Sequence, residues 1–265
     1  MLSSIVVPLD GSDLSKTALP VGAQLARALG STLTLLTSGW GSTVEELEAG
    51  LAAEATRLDV PTSVSVVPDT FPATAISHAV AGGDDAVVMA THGRSGIGKA
   101  LLGSVAEDVL KATERPVLLL GPSASQLPTI TGGVMIVSTD GSPTSGAIVP
   151  RAALWAKALE LSVHVVSVTR ADGTPMGELT HDELVDRMEQ IAGVFRAEGV
   201  AVDVETLTGT DPAAALVELA RHLPAAMIAM STHARTGWGR TALGSVAMKV
   251  VHDSPCPVLV QKPVG

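Results

Sequence analysis

The sequence predicts an α/β fold made of two tandem domains, each built around a doubly wound, five-stranded parallel sheet. Two observations predict this fold: a long internal repeat, and short apolar runs that alternate with helical patterns. The length of 265 residues is sufficient for two ordinary domains. An apolar content of 46%, with 17% charged residues, is typical of chains that form packed cores.

Two separated motifs occur twice, in the same order. "IVVPLDGS" at residues 5–12 corresponds to "MIVSTDGS" at residues 135–142, an offset of 130 positions. "VVMATHGRSGIGKALLGSVA" at residues 87–106 corresponds to "IAMSTHARTGWGRTALGSVA" at residues 228–247, an offset of 141 positions. The second copy therefore has about eleven additional residues between its motifs. We place them around "RADGTPMGELTHDE", residues 170–183.

The repeat defines the predicted domains. The first copy takes residues 1–122 and the second copy takes residues 133–265. The segment between them, "SASQLPTITG" at residues 123–132, is the natural linker. "RPVLLL" near residue 115 and "CPVLVQ" near residue 256 end the two copies in the same way.

Each copy alternates strands with helices. The predicted strands of the first copy are SIVVPLD, TLTLLTS, TSVSVVP, DAVVMAT and PVLLL. The predicted helices are SKTALPVGAQLARALG, VEELEAGLAAEATRL, ATAISHAVA and SVAEDVLKAT, the first of them stopped by Gly30. Unbroken apolar strands separated by helices imply a parallel sheet covered on both faces, in a Rossmann-like arrangement. Ligands of such sheets bind beyond the carboxyl ends of the strands, where both repeated motifs fall.

Composition restricts the partners. The formal net charge of −10, with two Phe, three Trp and no Tyr, disfavours nucleic acid and favours a small molecule or another protein. No apolar run approaches the ~20 residues that cross a bilayer, and "MLSSIVVPLD" lacks the basic start of a signal peptide. The single cysteine, Cys256, rules out an internal disulfide and is interpreted as packing. We expect a cytoplasmic protein without membrane contact.

The loop "THGRSGIGKALLGS", residues 91–104, resembles a phosphate-binding P-loop but lacks one of its residues. A P-loop requires Ser or Thr after its lysine, to hold Mg²⁺, whereas Lys99 is followed by Ala100. The second copy loses the pattern altogether, because Ala234 and Arg240 replace its first glycine and its lysine. We therefore reject the P-loop interpretation.

Another phosphate-binding arrangement fits the same loop. Gly103 and Ser104 lie where a helix begins, and a helix N-terminus offers free N–H groups to phosphate oxygens. Pro8 and Asp10, at the end of the first strand, place a carboxylate within reach of ribose hydroxyls. The alternative is that Gly-Ser only caps its helix and that Asp10 only caps the first helix through "DGSD". The two motifs together, at one edge of one sheet, favour a nucleotide.

These motifs resemble those of the universal stress protein family, and the chain resembles a tandem member over nearly all its residues. ATP-binding members carry Gly, two residues, Gly, nine residues, and Gly-Ser or Gly-Thr. The first copy has Ala90, Gly93, Gly103 and Ser104 at this spacing. The second copy keeps the spacing but loses both leading glycines; its four residues are Ser231, Ala234, Gly244 and Ser245.

The resemblance implies an ATP site in the first copy, with an aliphatic slot for adenine and with Mg²⁺ entering, if at all, through the phosphates. The implied site residues are Pro8, Asp10, Ser38, Met89, Ala90, Gly93, Gly103, Ser104 and Val105. We add Arg94 and Lys99 as phosphate-side charges. The weaker second site would use Asp140, Gly244 and Ser245. No histidine or carboxylate set has metal-ligand spacing, so no metal site built from protein ligands is predicted.

The resemblance also implies an assembly and a function. Fifth strands pair across a dimer axis in this family, so "PVLLL" and "PVLVQ" are expected to pair the two copies as an intrachain pseudo-dimer. A homodimer of whole chains is compatible with the same pattern. The expected function is that of an ATP-binding regulatory protein in a stress response. A nucleotide-free interaction module and a slow ATPase remain as alternatives; we expect no enzyme, because no positioned general base or Mg²⁺-binding aspartate is recognisable.

Overall fold

The computed structural model describes residues 2–40, 42–83, 85–91, 102–124, 129–231 and 243–263. The first copy contains β1 (Ser4–Pro8), α1 (Asp13–Lys16), α2 (Ala18–Leu29), β2 (Thr32–Gly39), α3 (Val44–Ala55), β3 (Thr62–Pro68), α4 (Pro72–Ala79), β4 (Asp85–Ala90), α5 (Ser104–Ala112) and β5 (Val117–Leu120). The second copy contains β6 (Val134–Ser138), α6 (Pro143–Gly146), α7 (Val149–Ala158), β7 (Ser162–Thr169), α8 (His181–Ala197), β8 (Val202–Thr208), α9 (Pro212–His222), β9 (Ala225–Ser231), α10 (Ser245–Asp253) and β10 (Val258–Gln261).

All ten strands form one sheet, in the order β3-β2-β1-β4-β5-β10-β9-β6-β7-β8. Within each copy all neighbouring strands are parallel, and β1 and β6 each lie between the second and the fourth strand of their copy. The strand order reverses at β1 and again at β6, so each copy is doubly wound and has its switch point there. The predicted α/β fold class is confirmed.

The two copies join through an antiparallel pair of fifth strands, as predicted. β5 and β10 pair with Val117 opposite Val260, Leu118 opposite Leu259 and Leu119 opposite Val258. Leu118 and Leu259 occupy equivalent positions in the two copies, so the central residue of each fifth strand lies opposite its own counterpart. This is the self-complementary pattern of a two-fold interface, here closed within one chain.

Helices cover both faces of the sheet and bury two apolar clusters. One cluster is formed with α2, α7 and α8, and its largest buried side chains include Trp155 and Phe195. The other is formed with α4, α5, α9 and α10 and includes Leu36, Met89 and Met230. Strands buried on both faces explain why the sequence shows unbroken apolar runs.

The first predicted helix is divided in the structure. α1 ends at Lys16 and α2 begins at Ala18, because Pro20 has no N–H to donate to the Lys16 carbonyl four residues earlier. The second copy has Pro150 at the same place, and α6 and α7 are divided likewise. The predicted stop at Gly30 is confirmed: Gly30 is the C-cap residue, with a left-handed φ of 63°.

The additional residues of the second copy lie mostly between β7 and α8. The link between β2 and α3 is residues 40–43, whereas the link between β7 and α8 is residues 170–180. The helix that follows is also longer in the second copy, since α3 has 12 residues and α8 has 17. Over the ranges described, no helix has both the length and the apolar composition needed to cross a membrane.

Candidate functional site

A cavity of about 210 Å³ opens at the carboxyl ends of β1, β2 and β4 in the first copy. Its lining includes eight of the residues predicted from sequence: Pro8, Asp10, Ser38, Met89, Ala90, Gly103, Ser104 and Val105. The structure therefore brings together, around one space, residues that are up to 97 positions apart in the chain. The predicted residues Gly93, Arg94 and Lys99 lie outside the described residues.

The N-terminus of α5 forms one end of the cavity. Gly103 is the N-cap residue, its N–H donates to the Thr91 carbonyl at 2.9 Å, and Ser104 is the first helical residue. No described side chain caps this helix, which begins at Gly103 and Ser104 as both interpretations of the Gly-Ser pair require. Gly103 has a φ of −68°, which any residue adopts, so its value here is the absence of a side chain beside the cavity. The first N–H groups of a helix have no partner within it and attract anions.

Asp10 lies at the end of β1, where its side chain shapes the turn into α1. One carboxylate oxygen accepts hydrogen bonds from the Ser12 N–H at 2.9 Å and from the Ser12 hydroxyl at 2.5 Å. The N-cap of α1 is Ser12, whose hydroxyl accepts from the Ser15 N–H at 3.2 Å. Asp10 is therefore not the helix cap that the alternative interpretation required. It is exposed at the edge of the cavity.

Ser38 contributes a buried hydroxyl without a partner. The residue lies inside β2 rather than after it, and its Oγ is shielded from solvent and makes no hydrogen bond with any residue that the structure describes. Leaving a buried hydroxyl unpaired costs roughly 1–3 kcal/mol, so such groups are rare unless something else satisfies them. Because Ser38 lines the cavity, a polar ligand atom there would satisfy it.

The wall between these polar groups is apolar. Leu36 from β2, Ile76 from α4 and Met89 from β4 are buried side chains that also face the cavity. Sequence reasoning missed Leu36 and Ile76, together with Leu9, Ser15, Pro72, Thr91 and Ala106. The strand alternation carried a signal for Leu36, because residues 36 and 38 of one strand lie on the same face. Such a wall suits a flat, weakly polar ring.

Charge is sparse in the part of the cavity that the structure describes. Its lining there contains one carboxylate, on Asp10, and no cationic side chain. Among the described residues, no group of three His, Cys, Asp or Glu side chains is placed to hold a metal ion. Cys256 lies elsewhere, in the core of the second copy, where burial raises the pKa of its thiol to about 11.

The second copy keeps the Gly-Ser helix start and the aspartate turn, and it differs in some of the residues around them. Gly244 is again the N-cap residue, with Ser245 first in α10. Asp140 again accepts from a serine N–H two residues later, at 2.9 Å, yet it is half-buried where Asp10 is exposed. Val168 replaces Ser38 and brings no hydroxyl.

Ser231, the counterpart of Ala90, is tied to the helices beside it. Its hydroxyl accepts from the Ile148 N–H at 3.0 Å and donates to the Ser145 carbonyl at 3.2 Å. The residue is buried, so this hydroxyl holds the junction of α6 and α7 against β9. In the first copy the smaller Ala90 leaves this position open to the cavity.

The insertion between β7 and α8 folds back over the sheet edge of the second copy. Pro175 forms an antiparallel bridge with Thr169 and is buried. Met176 then packs against the same apolar cluster that lines the cavity of the first copy. Leu179 covers Gly141, since a methyl group added to Gly141 would lie 2.4 Å from the Leu179 Cδ1. The insertion thus lies against both apolar clusters, since Leu179 packs on the cluster of α2, α7 and α8.

Fold and cavity together define a tandem α/β protein with a cavity at the switch point of its first copy. A sequence profile described as "Universal stress protein family" matches residues 38–121 and 133–262. The chain belongs to the universal stress protein family, as its motifs suggested.

Individual relatives agree with this assignment. The chain is 33% identical over 138 residues to the universal stress protein MJ0531 of Methanocaldococcus jannaschii, a match that covers 48% of this chain and 81% of that protein. It is 27% identical over 183 residues to the universal stress protein Rv2005c of Mycobacterium tuberculosis, covering 66% of this chain but only 61% of that protein. A solved universal stress protein from Archaeoglobus fulgidus shares the fold, with a TM-score of 0.71, 22% identity and 98% of each chain covered.

Proposed function

We propose that the protein binds an adenine nucleotide, ATP, in the cavity of its first copy and acts as a regulatory protein in a stress response. The observation that carries the proposal is the composition of that one cavity. It joins an uncapped helix N-terminus, a buried hydroxyl without a partner, an exposed carboxylate and an apolar wall. These groups match a phosphate, a base edge, a ribose and a ring face, in that order.

The arrangement of these groups supports one direction for the proposed nucleotide. The phosphates lie at the start of α5, against Gly103, Ser104 and Val105, where N–H groups and the helix dipole favour negative charge. The ribose hydroxyls face Asp10. The base lies between Leu36 and the α4 side, with a polar ring atom on the Ser38 hydroxyl.

Other parts of the proposal stay predictions from sequence. Gly93, Arg94 and Lys99 would complete the phosphate end, and Mg²⁺ would be held through the phosphates. The second copy would bind nucleotide weakly or not at all. We further propose a cytoplasmic protein that senses nucleotide without turning it over.

The test begins with what the protein carries. Purified protein is denatured in acid and the released small molecules are separated by chromatography; the ligand-free protein is then titrated with ATP by calorimetry. We expect adenine nucleotide in the extract or a measurable ATP affinity. Absence of both contradicts the proposal and favours the nucleotide-free interaction module. Steady conversion of ATP to ADP by the purified protein would favour the ATPase instead.

A matched pair of variants locates the site. Gly103→Val places a side chain beside the phosphates, and the backbone torsions of Gly103 accept valine, so the fold is expected to survive. We expect ATP binding to be lost in this variant. Gly244→Val makes the same change in the second copy and should leave ATP affinity unchanged, with the melting temperature of both variants as the control for folding. Unchanged affinity in Gly103→Val would contradict the site.

A further inference from the structure

Two exposed aromatic side chains contact each other beside the cavity of the first copy. Trp40 is 56% exposed and Phe71 is 71% exposed, and their ring centroids lie 5.2 Å apart at an interplanar angle of 72°. The whole chain has only five aromatic residues of the Phe and Trp types. Placing two of them side by side in water loses the stabilisation that burial would give. We call this feature the aromatic pair.

The aromatic pair adjoins, along the chain, two residues that line the cavity, Ser38 and Pro72. Side chains of a strand alternate between its faces, so Trp40, directly after β2, continues the row of Leu36 and Ser38, which line the cavity. Phe71 immediately precedes Pro72, another lining residue. The two loops are tied together because the N–H of Asp69 donates to the Gly39 carbonyl at 3.1 Å.

The second copy shows that this pair is not required by the fold. The counterpart of Trp40 is Arg170, and the counterpart of Phe71 is Asp211. Asp211 caps α9 by accepting from the N–H groups of Ala213 and Ala214 at 3.1 and 3.2 Å. It also pairs with Lys249 of α10, which lowers the pKa of the Asp211 carboxyl.

Phe71 makes neither the helix cap nor the ion pair that Asp211 makes in the second copy. Phe71 occupies the N-cap position of α4 and makes no side-chain cap, although Asp, Asn and Ser are the residues that stabilise a helix there. Phe71 is thus unfavourable for stability in two ways: its apolar ring is exposed to water, and its side chain cannot cap the helix. Its position at the mouth of the cavity gives it a use.

We propose that the aromatic pair is a specificity element of the nucleotide site, which closes against the base of the bound nucleotide. The inference rests on the proposed function and adds to it the residues that recognise the base. A purine offers the largest ring face for such contacts, and inorganic phosphate chains offer none. The first copy therefore selects its ligand by the base, beyond the anion attraction that both helix starts share.

Three variants test the proposal by calorimetry with ATP and with inorganic tripolyphosphate. Trp40→Ala is expected to weaken ATP binding about tenfold or more and to leave tripolyphosphate binding unchanged. Trp40→Phe should recover most of the ATP affinity. Leu154→Ala, which truncates another exposed apolar side chain in the second copy, is the control and should change neither.

Phe71→Asn separates recognition from stability. Asparagine restores a neutral helix cap, so the melting temperature should rise by about 2–4 °C while ATP affinity falls. A residue with only a structural role would move both quantities in the same direction.

The outcomes are distinguishable. If the wild-type protein binds no ATP, the proposed function and this inference both fail. If the wild-type protein binds ATP and Trp40→Ala binds it equally well, only the inference fails. If ATP affinity is equal and Trp40→Ala instead reduces self-association in sedimentation, the aromatic pair is a contact between chains, and the inference is also wrong.

Discussion

The two copies share a framework and most of the residues at the cavity-lining positions, and they differ at a few of these positions: Ser38 and Ala90 of the first copy correspond to Val168 and Ser231 of the second. Both begin their last helix at a Gly-Ser pair, and both place an aspartate turn after their first strand. In the first copy these groups surround a cavity with a buried hydroxyl that has no partner. In the second copy an eleven-residue link folds back against the end of the second strand of that copy. The helix start is therefore common to both copies, and some neighbouring side chains and the length of one loop set the copies apart.

The residues that follow the paired strands β5 and β10 also differ between the copies. A substitution there is expected to have the largest effect, on the stability of the fold. Gly121 comes directly after β5 and packs against α10. A Cβ added to it would lie 1.8 Å from the Val251 carbonyl oxygen. Its counterpart in the second copy is Lys262, whose ammonium group donates to the Lys111 carbonyl. We expect Gly121→Ala to lower the free energy of unfolding by about 3 kcal/mol through overpacking. Denaturant unfolding measures this, and Gly82→Ala, with open space around it, is the control.

Loss of the ribose carboxylate should affect one copy only. Asp10→Ala is expected to weaken ATP binding by about 2 kcal/mol, or roughly thirtyfold, because charged hydrogen bonds are lost. Asp140→Ala should leave the measured affinity as it is. Asp10→Asn, which keeps an oxygen for the Ser12 N–H, controls for damage to the turn. A larger loss with Asp140→Ala than with Asp10→Ala would show that the second copy holds the nucleotide.

Shortening the insertion should open the second copy. Replacing residues 170–180 by the first copy's link, residues 40–43, removes Met176 and Leu179 from the sheet edge. In a chain that also carries Asp10→Ala, we expect ATP affinity at the second copy to increase about tenfold, a gain of roughly 1.4 kcal/mol. Calorimetry on the chains with and without the replacement gives the difference. No gain would mean that the insertion is not what closes this copy.

The smallest expected effect is on the reactivity of Cys256, at a position where the first copy has Arg115. Cys256 is buried, and its counterpart, Arg115, donates instead to the carbonyls of Val80 and Ala81. Burial raises the thiol pKa to about 11, so about one thiol in a thousand is ionised at pH 8. We expect almost no reaction with a thiol reagent in the native protein and one equivalent in denaturant. The thiol becomes reactive only as the pH rises toward 11; rapid native reaction at pH 8 would contradict its burial.

The sequence was sufficient for the fold because the signals it needs are local or repeated. Apolar runs, helical spacing and the repeat predicted the strands and helices, and the apolar fifth strands predicted the seam. Helical spacing did not predict the division of the first helix, because the apolar pattern continues through Pro20 although proline cannot donate to the Lys16 carbonyl.

The site was predictable only in part. Strand ends of a parallel sheet converge, so Asp10, Met89 and Gly103 were expected to meet, and they line one cavity. The missing partner of the Ser38 hydroxyl and the contact between Trp40 and Phe71 depend on how distant segments approach each other. The path of the insertion in the second copy could not be predicted either, because no sequence periodicity indicates where a loop packs.

The number of nucleotides held by one chain tests the central claim most directly. Native mass spectrometry of the full chain, titrated with ATP, counts bound nucleotides without assuming which copy binds. We expect one tightly held nucleotide per chain, lost in Gly103→Val and retained in Gly244→Val. Two nucleotides retained equally, or one that is lost only in Gly244→Val, would contradict it.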